Sequence, residues 1–357
     1  MIPYLLLAFA PPAISYVFCS RERDRKTRIF LSTLMFFVGF LLLVSCRHLD
    51  IGTDNDNYKI IFEGLQDLKW QKIAESWEIE VGYSWLNVLV GQISQDYQTF
   101  VAIVAIISIV PIAIMYVKES ESSFLTLVLL LNVGIFAMYF SGLRQVIAMA
   151  FVVPAYYLTK NKRLVLFVLT VLIATLFHQS ALVMLIFYPV YHSRITTKKF
   201  MVIVPIVLLS YIFNSAIFTF LVRIMGEKYE ERYGALETTG AVMMIILFAL
   251  FVVYSYFIVD EGKLDSDSEG LRNILIICLI LQLFSPVNSV AMRMNYYFLP
   301  FVPIAIPKMA NRSKDHFSSL AWLSVFIMGV FFALRFVLNM YTSVDVLQIF
   351  PYKFFWQ

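Results

Sequence analysis

Apolar stretches of about 14–20 residues recur along the whole chain, separated by short polar loops. Runs of this length predict membrane-crossing helices, since a hydrocarbon core of roughly 30 Å takes about 20 residues of α-helix. No segment alternates apolar and polar residues with a period of two, which argues against a transmembrane barrel. The pattern places spans at roughly 2–19, 29–46, 99–117, 124–140, 143–158, 164–177, 181–191, 200–220, 241–259, 273–291, 294–307 and 318–338. The expected fold is therefore all-α: a polytopic helical membrane protein with about twelve transmembrane helices. Residues 1–357 read as a single integral membrane domain with two long polar loops, at about 47–98 and 221–240.

One pair of spans is unusual. Leu164–Phe177 and Ala181–Tyr191 flank His178, Gln179 and Ser180, and as α-helices the two arms reach only about 21 Å and 16 Å. Lys160, Lys162 and Arg163 precede the pair, and Arg194, Lys198 and Lys199 follow it, so both ends belong on one face. The tip is expected in a protein-lined recess below the opposite surface. A titratable ring or charge at such depth costs roughly 2.5 kcal/mol or more and asks for a functional reason.

Composition supports the same class: 60% hydrophobic, 15% charged, mean hydropathy +0.78. Cys19, Cys46 and Cys278 lie at or inside apolar segments without paired spacing, suggesting neither a disulfide framework nor a zinc site. The net charge of +4 comes from loop lysines and arginines and marks no nucleic-acid patch. Met1–Cys19 lacks a basic leader and a small-residue cleavage site, and reads as a retained span.

Charge also sets the expected orientation. Most of the 28 basic residues fall in alternate loops, beginning with Arg21, Arg23, Arg25, Lys26 and Arg28. The positive-inside rule puts those loops in the cytoplasm. Arg144, Arg293, His178 and the 47–98 loop then face outside, where no ATP or nucleotide sugar is at hand. Chemistry there must run on a substrate already activated and already carried across.

Several residues on that side could carry it. Asp54 and Asp56 flank Asn55 in Gly52-Thr53-Asp54-Asn55-Asp56-Asn57-Tyr58. They read either as a solvated turn or as carboxylates for sugar hydroxyls and for a base; the calcium-loop pattern fails at Lys59 and Leu65. Glu80 opens an apolar helix at Val81-Gly82-Tyr83, where it would favour the helix N-terminus. Arg144 and Gln145 follow Ser141-Gly142-Leu143 at a turn between spans; a guanidinium there either snorkels or offers a planar fork to phosphate. Arg293 repeats the Arg144 situation at the head of an inward-running span. His178 is either a satisfied buried histidine or a group that accepts a proton near neutral pH. Lys228, Tyr229, Arg232 and Tyr233 share one face of a charged stretch, as a solvated surface or a substrate contact.

Taken in order, Gly52-Thr53-Asp54 with Asp56 and Tyr58, Glu80-Val81-Gly82-Tyr83, Leu143-Arg144-Gln145, Phe177-His178-Gln179-Ser180-Ala181 and Arg293-Met294-Asn295-Tyr296-Tyr297 resemble the EpsG-type branch of bacterial Wzy polysaccharide polymerases. The resemblance covers roughly residues 45–300. It implies a GT-C-like membrane glycosyltransferase of the bacterial cytoplasmic membrane, with its site facing outside. Such an enzyme moves a glycan chain from polyisoprenyl diphosphate onto a lipid-linked oligosaccharide repeat unit. It needs no nucleotide donor or cofactor, and no metal is assigned to the aspartates. Arg144 and Arg293 would hold the diphosphates, with His178 as base or phosphate contact. Asp54, Asp56 and Glu80 would orient the acceptor sugar, one of them a rival for the base. Lipid-linked oligosaccharides are the implied partners, beside a flippase and a chain-length regulator. A lipid-linked oligosaccharide flippase or an O-antigen-ligase-like glycosyltransferase is the alternative. Clustering of polar residues at external depth favours an enzyme over a flippase.

Overall fold

A computed structural model describes residues 2–19, 25–66, 79–224, 242–341 and 347–357. Among these residues the chain is helical throughout, with isolated bridges at Arg47–Phe354 and Val259–Ser313 and no strand. Two helices, Arg25–Ser45 and Tyr97–Glu119, are each long and apolar enough to cross a membrane. The count rises to four if each of two bent pairs is one span. Shorter apolar helices include Ile2–Phe18, Leu164–Thr175, Gln179–Tyr191 and Val242–Phe257.

Polar side chains set several boundaries. Asp96 caps the Tyr97–Glu119 helix by accepting from Thr99 N at 3.0 Å, and Ser122 and Thr196 cap the next starts in the same way. Three expected spans are not continuous helices. The stretch 124–140 breaks between Ser123–Asn132 and Ile135–Ser141 with a bend of 52°, and 200–220 breaks between Thr197–Ile212 and Asn214–Ile224 with a bend of 77°. In place of 273–291 the helix runs Ser266–Gln282, and a separate short helix, Ser289–Asn295, follows.

The chain forms two compact units, Met1–Leu182 with Val325–Gln357, and Val183–Ser324. In the first, buried aromatic rings interlock: Phe40 stacks on Phe136 at 4.9 Å, and Tyr4 meets Phe136, Phe140 and Phe350 edge-on. The segment 347–357 returns to this core. Tyr4 Oη donates to Ile349 O at 2.7 Å, Tyr352 Oη to Leu43 O at 2.8 Å and Phe355 N to Cys46 O at 2.9 Å.

Two short helices, Asn55–Gln66 and Val81–Gly91, stand on the start of the Tyr97–Glu119 helix. Phe62 and Tyr83 pack on Phe100, and Leu65 meets Val88. Trp85, Leu89 and Ile93, spaced four apart, leave one apolar face of the second helix exposed, as a helix against the membrane interface requires. Trp70 and Trp77, read as part of the same interfacial group, lie outside the described residues.

The second unit centres on Ser266–Gln282, capped by Asp265, which accepts from Ser268 N at 2.7 Å. Its buried charges are internally matched. Asp267 pairs with Lys308 Nζ at 2.7 Å and accepts from Tyr191 Oη at 2.7 Å, while Arg272 donates to Ile195 O and lies over the Tyr256 ring.

Candidate functional site

The hairpin predicted around His178 is present, but its second arm is built differently. Leu164–Thr175 is α-helical, and the chain then runs as a 3-10 helix from Gln179 to Ile186 before the α-helix Phe187–Tyr191. At about 2.0 Å per 3-10 residue that arm reaches about 23 Å rather than about 16 Å. His178 occupies the turn, with its N–H donating to Ala174 O and its carbonyl accepting from Ala181 N.

Glu80 is brought to this turn by a close approach of two helix ends. Gly82 N, near the start of Val81–Gly91, donates at 2.8 Å to Leu176 O, just past the end of Leu164–Thr175. One orphan donor and one orphan acceptor satisfy each other. A Cβ on Gly82 would lie 2.8 Å from that same oxygen, so only glycine permits the contact. Gly82→Ala should therefore push the two ends apart and lower activity by roughly 10²-fold while the protein stays folded, checked by turnover alongside thermal unfolding.

Although Glu80 holds the N-cap position, its side chain does not cap its own helix. It turns instead to two partners far away in sequence. Oε2 accepts from Arg144 Nη1 at 2.7 Å, and Oε1 lies 3.0 Å from His178 Nδ1, with Gln179 N also donating to Oε1 at 3.3 Å. The side chains of Glu80, His178 and Arg144 are 9%, 15% and 26% exposed, so the carboxylate is the most sheltered of the three. Burial pushes the Glu80 carboxyl upward, but the His178 hydrogen bond and the Arg144 charge outweigh it and hold it at about 2. Glu80 is therefore ionised and can only accept. Nδ1 of His178 must carry the proton, which leaves Nε2 as the basic nitrogen, engaged by no described residue.

Arg144 starts the Leu143–Ala150 helix, where the helix dipole disfavours a cation, and Glu80 offsets that. Tyr58, buried in Asn55–Gln66, hydrogen-bonds Arg144; burial raises its phenol while Arg144 pulls it back. Arg144 Nε has no hydrogen-bond partner among the described residues. The fork is thus only partly used.

The remaining expected residues separate. Asp54 and Asp56 are exposed on either side of buried Asn55, whose carbonyl accepts from Tyr97 Oη. Gln145 is buried beside Arg144 in sequence. Arg293 belongs to the second unit, exposed in the last turn of Ser289–Asn295, not at the head of an inward-running span. That correction follows from the helix ending at Asn295, whose side chain turns in to Cys278 O and Gln282 Oε1. Lys228, Tyr229, Arg232 and Tyr233 lie outside the described residues.

Arg47 escaped the sequence reading. It is 1% exposed, donates to Val44 O at 2.7 Å and to Asn55 Oδ1 at 3.0 Å, and so sets the base of the Asp54–Asp56 loop. Burial lowers its guanidinium to about 10, still charged at neutral pH. Its position after an apolar run looked like ordinary snorkelling. The usable signal was Asn55 eight residues on, a side chain able to accept from it.

These features define a class: an all-helical chain, with several apolar helices consistent with an integral membrane protein, that gathers a carboxylate, a guanidinium and an imidazole at a hairpin turn. The sequence model of the EpsG family matches residues 5–354, and the chain belongs to that family, which is linked to exopolysaccharide biosynthesis. No curated protein and no solved structure matches the chain.

Proposed function

We propose that the chain is a polysaccharide polymerase. It transfers a glycan from polyisoprenyl diphosphate onto a lipid-linked oligosaccharide repeat unit at the outer face of the cytoplasmic membrane. One observation carries the reading: Glu80 grips His178 and Arg144 with separate oxygens, at 3.0 Å and 2.7 Å. This arrangement decides between the rival bases. A carboxylate held at about 2 with both oxygens engaged is a poor proton acceptor. The imidazole it orients is a good one, and the adjacent anion stabilises the imidazolium that forms.

In the proposed step, an acceptor-sugar hydroxyl oxygen attacks the anomeric carbon of the donor's reducing-end sugar. The bond from that carbon to the diphosphate oxygen breaks, and its electron pair leaves with the lipid diphosphate. The hydroxyl proton passes to His178 Nε2. Arg144 offers its remaining N–H groups to the diphosphate, where preorganised charge lowers the barrier most. Asp54 and Asp56 take acceptor hydroxyls.

The test is reconstitution in proteoliposomes, with lipid-linked single repeat units extracted from host cells lacking this chain. A ladder of longer glycans should form without nucleotide sugar or ion gradient. Movement of the units across the bilayer without any ladder would overturn the reading in favour of a flippase. His178→Ala should slow ladder formation by about 10²–10⁴-fold, read from initial rates.

A further inference from the structure

Two segments of the first unit, 53–58 and 141–144, are joined at both ends. At one end Tyr58 bonds Arg144. At the other, Ser141 Oγ accepts from Thr53 N at 3.1 Å and donates to Leu347 O at 3.2 Å. A hydroxyl has one proton to give and lone pairs to receive, and here both uses are spent on backbone. The returning segment completes this wall: Gly52 N donates to Gln348 O at 3.0 Å. Gly52 also presses on the 140–141 peptide, where a Cβ would lie 2.0 Å from Phe140 O. Ser141 itself is buried, at the end of the Ile135–Ser141 helix.

The two stitches enclose Asp54. Thr53 is its neighbour on one side, and its carbonyl accepts from Tyr58 N at 3.0 Å on the other, while its own carboxylate stays exposed. Asp56, by contrast, stands on the free edge of the helix, and its charge bears on Tyr97. The geometry points to Ser141 as a positioning residue that fixes Asp54, rather than Asp56, as the carboxylate presented to the acceptor sugar. This rests on the polymerase reading and narrows it to one of two aspartates.

The experiment is a double-mutant cycle of Ser141→Ala and Asp54→Asn in proteoliposomes, with extracted lipid-linked single repeat units as the varied substrate. Each single variant should raise KM about tenfold with kcat within about twofold, and the double variant should be no worse than Asp54→Asn alone. Asp56→Asn should move KM by less than about twofold, and Ser141→Thr, which keeps the hydroxyl, should restore the wild-type value. Hydrogen exchange should rise at the amides of 52–56 in Ser141→Ala and stay unchanged in Asp54→Asn. Multiplying effects in the double variant, or a fall in kcat at constant KM, would overturn the positioning role. Faster exchange with KM unmoved in both single variants would instead show that the loop is held but does not meet the acceptor, which removes the reading beneath it. If Ser141→Ala does not fold, Ser141→Cys, which weakens both bonds without emptying the site, reads the same split.

Discussion

Glu80→Gln is expected to cut transfer by about 10²–10⁴-fold with little loss of folded protein. The size of the side chain is unchanged, but its two ends are no longer equivalent. Wild-type Glu80 accepts at both oxygens, from Arg144 Nη1 and from His178 Nδ1. A glutamine has one acceptor and one donor. With its oxygen toward His178, the amide nitrogen opposes Arg144, donor against donor. Turned the other way, it meets Arg144 and forces the imidazole proton onto Nε2, which removes the base. Either orientation breaks half of the arrangement, so Glu80→Asp, shorter but still anionic, should retain more activity than Glu80→Gln. The comparison of initial rates for the two variants checks the point; equal losses would mean that reach matters and charge does not.

The same pair of contacts sets an acid limit. Glu80 is held at about 2 in the folded chain against an ordinary value of 4.5. A depressed carboxyl contributes stability that is fully present above 4.5 and is lost as pH falls toward about 2. The contribution is of the order of 3 kcal/mol. Thermal unfolding of the detergent-solubilised protein should therefore be flat with respect to this group above pH 4.5 and should decline below it. In Glu80→Gln that acid limb should shrink. An identical limb in both proteins would assign it to other carboxyls.

Much of this site was legible as residue types and little of it as partnerships. Short apolar arms around His178 and a lone arginine after Ser141-Gly142 announced themselves through the cost of charge at membrane depth. That Glu80 joins them was not readable, because it lies 64 residues from Arg144 and 98 from His178, and a glutamate before an apolar helix already has a local explanation. The close approach that unites them depends on Gly82, whose backbone contact leaves no hydropathy signal. The fold shows the same division. Hydropathy finds apolar stretches, yet it is blind to a bend of 52° after Asn132 or 77° near Asn214, since a broken helix is as apolar as a straight one. It is equally blind to the difference between the α-helix assumed for 181–191 and the 3-10 turns found from Gln179 to Ile186. Arg293 misled for a related reason: Met292-Arg293-Met294 reads as the edge of a span, whereas the Ser289–Asn295 helix is only a short spur.

Arg144→Lys separates two duties that the wild-type side chain combines. An ammonium still reaches Glu80 as a point charge, so the carboxylate keeps a counter-ion and the hairpin its shape. What disappears is the planar fork, whose Nε has no partner among the described residues while one Nη is committed to Glu80. If that free edge receives the leaving diphosphate, turnover should fall by about 10²–10³-fold, the scale for removing one preorganised donor at a developing charge. Inhibition by added polyisoprenyl diphosphate, the released product, should weaken in parallel, by about tenfold or more. Arg144→Ala should be worse than Arg144→Lys on both counts and less stable besides, because Glu80 is then left with His178 as its one charged partner. Product inhibition that stays at the wild-type level in Arg144→Lys, with turnover reduced, would put the diphosphate elsewhere and confine Arg144 to holding Glu80 in place.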